Sequence, residues 1–295
     1  MDMKDPDKIL VMYEIKVLGR RAKPEKIQET IETITQKVKE NPFIDFLNVP
    51  EITEENFEGK PFYKSVDVVQ FGRRLQEATG KPVIVNKVIG HLDGKKGFVN
   101  FVKQARDVNG IGNFVFVGVA SPCIKYPGPF VSVANKLIAN MDINVGNICI
   151  PNRPEEVDRI MQKTEAGCSF FTTQILMESD SMKRVLLEYD RACKERKIKP
   201  ARIFFCFATV EDDYDLDFFK WLGVEISKET EKDLKKAKDK TGFCSERIKK
   251  IYEGILRFKT EHDISVPLGL NISQVSARNL DSSLKLAKEL VEIGV

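Results

Sequence analysis

A carboxyl group interrupts an otherwise apolar run near the start of the chain, Val11-Met12-Tyr13-Glu14-Ile15. An acid inside a buried strand loses hydration unless it is paired or useful, and burial favours its protonated, proton-donating form. A pair with Lys16 is the structural alternative. Gln174 closes the run Phe170-Phe171-Thr172-Thr173-Gln174. Its primary amide offers donor and acceptor together, which suits reading the edge of a heterocycle and equally suits capping a strand end. Asn271, late in another apolar run, carries the same two readings. Arg153 follows Ile150-Pro151-Asn152 at an expected helix start. A cation beside unpaired helix N–H groups could hold an anion such as phosphate, and a plain surface arginine fits the same residues. Tyr126-Pro127-Gly128-Pro129-Phe130 is rigid and aromatic, suited to a site or to a turn.

Other chemistries lack their parts. Asn109-Gly110-Ile111-Gly112 precedes an apolar run instead of following one, so it fails as a dinucleotide fingerprint. The chain has no G-x-S-x-G, P-loop or H-E-x-x-H motif. Its two histidines, His91 and His262, lie far apart, and its six cysteines include no C-x-x-C pair, so no metal site is expected. A net charge of +3, from 47 basic and 44 acidic residues, argues against a nucleic-acid partner. The charge run from Lys228 to Lys240 mixes both signs, as a solvated helix face does. The amino-terminal residues are charged and no apolar stretch approaches the roughly 20 residues of a membrane span, so a soluble, cytoplasmic protein with no membrane partner is expected.

These groups need a scaffold, and the chain of 295 residues supplies one by alternation. Apolar runs fall at Ile9–Val17, Phe43–Val49, Pro82–Ile89, Asn113–Val119, Ile143–Ile150, Cys168–Ile175, Ala201–Ala208 and Val266–Ile272. Several are nearly continuous in Val, Ile and Phe, as parallel strands covered on both faces should be. Helical stripes lie between them. Ile27, Ile31, Ile34 and Val38 recur at helical spacing, as do Ile248, Ile251 and Ile255, and Leu280, Leu284, Ala287 and Val291. Pro24 and Pro154 mark helix starts, and Gly80 and Gly167 mark helix ends. Eight strand–helix units without a change of composition predict a single (β/α)₈ TIM barrel over residues 1–295. An open doubly wound sheet is the alternative. The long connection from Thr209 to Ser265 predicts two or more extra helices between the seventh and eighth strands. In such a barrel the working residues sit at the carboxyl ends of the strands, where Glu14, Gln174 and Asn271 fall.

The order of these segments resembles the methylenetetrahydrofolate reductases over almost the whole chain. Tyr13-Glu14-Ile15 stands where that family carries its catalytic acid. Leu75-Gln76-Glu77-Ala78-Thr79-Gly80-Lys81-Pro82 is similar to the end of its second helix, and Pro151-Asn152-Arg153-Pro154-Glu155-Glu156 to the turn after its fifth strand. The strongest match is Glu165-Ala166-Gly167-Cys168-Ser169-Phe170-Phe171-Thr172-Thr173-Gln174, whose closing Gln contacts folate in the family. Val224-Glu225-Ile226 and Gly269-Leu270-Asn271 fall in the same register. The resemblance implies a one-carbon oxidoreductase that reduces a 5,10-methylene pterin to the 5-methyl form. Glu14 would be the acid, Gln174 would orient a folate-like pterin with Thr173 and Asn271 in support, and NADH or NADPH would donate the hydride.

The flavin signature departs from the family. Gly118-Val119-Ala120-Ser121-Pro122 stands in place of Leu-Arg-Gly-Asp-Pro, Asn86 in place of one histidine and Arg153 in place of another. Asn86, Ser121, Tyr126 and Arg153 are the positions left to contact FAD. Their altered types open a second reading: a non-catalytic or flavin-free pterin-binding subunit, acting as a homo-oligomer or with a methyltransferase or separate reductase.

Overall fold

The computed structural model describes residues 5–6, 8–119 and 123–294. Among the described residues ten strands form: β1 (Leu10–Glu14), β2 (Phe46–Pro50), β3 (Thr53–Glu55), β4 (Pro61–Tyr63), β5 (Val83–Val88), β6 (Asn113–Val117), β7 (Asn144–Cys149), β8 (Phe170–Ile175), β9 (Arg202–Phe207) and β10 (Leu268–Ser273). Eight of them close into a parallel barrel in the order β1-β2-β5-β6-β7-β8-β9-β10 and back to β1. The barrel expected from the sequence is therefore the fold, and each apolar run holds its strand to within a few residues. β3 and β4 form a separate antiparallel hairpin that no apolar run announces.

The helices are α1 (Pro24–Glu40), α2 (Val68–Thr79), α3 (Gly94–Asn109), α4 (Val131–Leu137), α5 (Glu156–Glu165), α6 (Asp180–Arg196), α7 (Asp213–Trp221), α8 (Lys228–Lys236), α9 (Lys240–Glu261) and α10 (Leu280–Gly294). Pro24 opens α1, which buries Ile31, Ile34 and Val38. The Asp67 carboxylate accepts the first N–H groups of α2, and Gly80, at φ 68°, ends that helix in the left-handed region. Pro154 does not open α5: the helix begins two residues later, at Glu156. The connection between β9 and β10 carries three helices, α7, α8 and α9. Among the described residues no helix is long and apolar enough to cross a membrane.

The chain divides into two compact units. Unit one holds the segment ending at Tyr13, Cys149–Met161 and the chain from Phe171 onward; unit two holds Glu14–Ile148 and Gln162–Phe170. In unit two, a Cβ on Gly72 of α2 would lie 3.0 Å from Val83 and 3.4 Å from Val85. Those two side chains therefore face the helices, and by alternation Ile84 and Asn86 face the barrel interior. Asn48 pairs with Ile84 in register, so it too faces inward. Phe170 fills the interior beside Gly146, where a Cβ would stand 2.3 Å from its ring. In unit one, Phe205 and Phe207 meet Tyr252 of α9 edge-on at 6.4 and 6.1 Å. Arg202, Phe204 and Cys206 consequently turn inward. The buried Arg202 guanidinium donates to the carbonyls of Asp5, Lys8 and Leu268, at the amino-terminal ends of the strands.

Candidate functional site

The strand ends of unit two gather three polar side chains. Tyr13 points outward, its hydroxyl 2.8 Å from the Ser283 hydroxyl of α10. Glu14, the last residue of β1, therefore turns inward and is half-buried. Its carboxylate accepts the side-chain N–H of Asn48 at 2.7 Å. That bond engages the NH₂ end of the Asn48 amide, and a carboxyl oxygen of Glu14 can accept it with or without the acidic proton. Asn48 is fully buried, and its Oδ1 has no hydrogen-bond partner among the described residues. Asn86, two residues further along the neighbouring strand on the same interior face, is 8% exposed, and its Oδ1 also lacks a partner among the described residues. Buried amide oxygens are normally satisfied by the protein or by ordered water, so two on adjacent strands make these strand ends a candidate place for the N–H groups of a ligand.

A rim of ionic contacts surrounds these ends within unit two. Lys87 and Glu51 pair at 2.5 Å, with side chains 11% and 7% exposed. The ammonium also stands 5.2 Å from the Tyr63 ring centroid and 5.3 Å from that of Phe101. Glu55 of the hairpin accepts the Tyr126 hydroxyl at 2.5 Å and lies 3.0 Å from His91 Nε2. The Gly128 N–H donates to the Gly90 carbonyl at 2.8 Å, and a Cβ on Gly128 would stand 2.0 Å from the Ile89 oxygen. Glycine is required there because two backbones touch. The loop carrying Tyr126 is thus a fastening for the hairpin. Of the four flavin positions, Tyr126 is tied to Glu55, Asn86 lies at the interior strand end, and Ser121 lies outside the described residues.

Unit one places its expected site residues differently. Gln174 donates its amide N–H to the Leu222 carbonyl at 3.0 Å, and its Oε1 accepts the Ile175 N–H at 2.9 Å. Both ends of the amide are engaged within the unit, and the recess it lines with Asn152 and Met177 measures about 10 Å³, the size of one water. The Thr173 hydroxyl accepts the Cys206 N–H at 2.9 Å, which fastens β8 to β9. Asn271 is buried on β10 opposite Cys206. Arg153 does not present its charge to an anion: its guanidinium holds the buried Glu156 carboxylate through Nε at 2.7 Å and a terminal nitrogen at 2.5 Å. Glu156 also accepts the Ile150 N–H at 2.9 Å. A surface cleft of about 530 Å³ opens beside this pair, next to Arg184 and Glu188.

Glu178 joins three elements of unit one. It accepts the Thr230 hydroxyl at 2.8 Å, the Ser227 N–H at 3.1 Å and an Arg247 guanidinium N–H at 2.7 Å. Burial alone would raise its pKa, but the Thr230 and Ser227 hydrogen bonds and the Arg247 charge outweigh it and hold the carboxyl below its ordinary value of 4.5. A depressed carboxylate contributes stability above the unfolded-state value and loses it as pH falls through the folded-state one. Thermal melts of wild type are therefore expected to drop in midpoint as pH falls below about 4.5. Glu178→Gln should start lower at neutral pH and show a flatter acid limb. An acid limb of unchanged slope would contradict this role.

Sequence reasoning passed over Asn48, Glu51, Glu55 and Lys87. Asn48 carried the same signal as Glu14, a polar residue inside an apolar run, in Phe46-Leu47-Asn48-Val49.

A closed (β/α)₈ barrel with polar side chains at the carboxyl ends of its strands is the class that fold and geometry define. No protein-family model matches the sequence, and no curated protein matches it. Among solved structures, the chain is similar to a protein from Clostridium thermocellum described as uncharacterized and as binding two copies of 5-methyl-5,6,7,8-tetrahydrofolic acid. The two are 24% identical with a TM-score of 0.81, covering 98% of this chain and 97% of the other. A thermostable aldo-keto reductase, in complex with the inhibitor epalrestat, is 10% identical with a TM-score of 0.50, covering 96% and 94%. Both likenesses are of fold.

Proposed function

We propose that this chain binds a reduced, one-carbon-carrying pterin and that Glu14 is the acid of a methylenetetrahydrofolate reductase-like reaction. The observation that carries this reading is the Glu14–Asn48 hydrogen bond at the strand ends of unit two, which aims one carboxyl group into the barrel interior. The order of sequence motifs supports it, and so does the ligand named for the Clostridium thermocellum protein of the same fold. In the reaction, a proton from Glu14 goes to N10 of the 5,10-methylene pterin as the N10–methylene carbon bond breaks. The resulting N5 iminium carbon then accepts a hydride from NADH or NADPH and becomes the 5-methyl group. General-acid help of this kind requires the donor within hydrogen-bond reach of the leaving nitrogen.

Two of the four residues assigned to FAD are engaged elsewhere. The Tyr126 hydroxyl is held by Glu55 and the Arg153 guanidinium by Glu156. The hydride is therefore assigned to the nicotinamide directly. The same observation favours a second reading, a non-catalytic pterin-binding subunit that serves a methyltransferase or a separate reductase. Calorimetric titration with 5-methyltetrahydrofolate, followed by an assay of NADH and NADPH oxidation with 5,10-methylenetetrahydrofolate, separates the two. Saturable binding and pterin-dependent oxidation are expected. Binding without oxidation establishes the second reading, and no binding removes both.

A further inference from the structure

Asn48 and Asn86, like Asn135 and Asn271, have buried amide oxygens with no hydrogen-bond partner among the described residues, and these two share one interior face of adjacent strands. An unmade hydrogen bond at a buried carbonyl costs roughly 1–3 kcal/mol, a cost that a bound ligand or an ordered water removes. Their positions are related by the sheet. Asn48 pairs with Ile84 and Pro50 with Asn86, so both asparagines project from one face of two hydrogen-bonded strands. Two residues of rise and one strand spacing put their Cα atoms roughly 8 Å apart. Asn48 has committed its NH₂ to Glu14 and offers an acceptor alone. Among the described residues the Asn86 side-chain amide makes no hydrogen bond, so it offers acceptor and donor side by side.

We infer that Asn48 and Asn86 form a subsite for a 2-amino-4-oxopyrimidine edge. The Asn86 carboxamide pairs with the ring lactam, donating to its C=O and accepting from its N–H, as two amides pair with each other. The Asn48 oxygen accepts from the exocyclic amino group. A 2,4-dioxo ring puts an oxygen where that amino group would be, so it brings two acceptors together. Such an edge is carried by pterins and by guanine. The inference rests on the reading that these strand ends are the ligand site, and not on the reduction proposed there. It also gives the orienting role to Asn48 and Asn86 in place of Gln174, whose amide is engaged with Leu222 and Ile175.

The test is calorimetric titration of the whole chain with 5-methyltetrahydrofolate, pterin, lumazine (the 2,4-dioxo counterpart of pterin) and guanosine. Wild type is expected to bind pterin about 10- to 100-fold more tightly than lumazine, because a site built for an N–H rejects the analogue that lacks it. Asn86→Leu should weaken pterin by a similar factor, while the ligand-free variant melts at or above the wild-type temperature, since it loses an unsatisfied buried amide. Asn48→Leu should bind pterin and lumazine alike. Guanosine binding in place of pterin, with the same dependence on both asparagines, keeps the subsite and removes the one-carbon reading. Pterin binding indifferent to the 2-amino group and to Asn86→Leu overturns the subsite while the one-carbon reading stands. If none of the four binds, both fall.

Discussion

Glu14→Gln is expected to lower kcat for reduction of 5,10-methylenetetrahydrofolate by about 10²- to 10⁴-fold, the usual range for losing a general acid. The substitution removes little else. Glutamine has nearly the volume of glutamate, and its amide oxygen can still accept the Asn48 N–H that now holds the carboxylate at 2.7 Å. Packing around the end of β1 should therefore survive, and the affinity for 5-methyltetrahydrofolate, which needs no proton delivered, should change little. A loss confined to kcat with KM preserved is the mark of an interaction made in the transition state. Turnover equal to wild type would remove Glu14 from the chemistry. A rise in KM alone would reduce it to a binding group.

The barrel was legible because its strands are covered on both faces, and that burial writes itself into the sequence as apolar runs. The hairpin was not. Thr53–Glu55 and Pro61–Tyr63 are three residues each, none of them buried, and they are held by contacts that no local pattern encodes. Glu55 reaches Tyr126 across 71 positions and His91 across 36. The site divides along the same line. Glu14 was readable as a polar interruption in an apolar run and Asn86 only through the family resemblance, and both face the interior. Gln174 and Thr173 looked equally available, but their partners, Leu222 and Cys206, lie 48 and 33 positions away and come from neighbouring elements. Sequence can show that a side chain is polar in an apolar place, and tertiary packing decides whether its hydrogen bonds are already spent. Arg153 is the intermediate case. Its partner Glu156 is three residues on at the start of α5, a spacing that local reasoning can reach.

Lys87→Met should cost about 3–5 kcal/mol of folding stability, the range for removing one partner of a buried ion pair. The lysine side chain is 11% exposed and that of Glu51 7%, so neither charge has water to fall back on when the other is lost. The Glu51 carboxylate would keep the Val88 N–H at 3.1 Å, which compensates only part of a buried negative charge. Methionine fills the space of the lysine stem between Tyr63 and Phe101, so the loss would reflect charge more than a cavity. The double variant Lys87→Met/Glu51→Leu supplies the contrast, because replacing both partners of a buried pair by apolar groups is often neutral or stabilising. Urea melts of the two single variants and the double should therefore give a coupling energy of the same few kcal/mol, with most of the stability returning in the double. Additive losses would mean that the two side chains act independently. The pair also joins Glu51, just beyond β2, to β5, which carries Asn86, so the double variant has a second use. If it regains stability yet binds pterin more weakly than wild type, the ion pair sets the spacing between the strands that carry Asn48 and Asn86. Wild-type affinity would confine its role to stability.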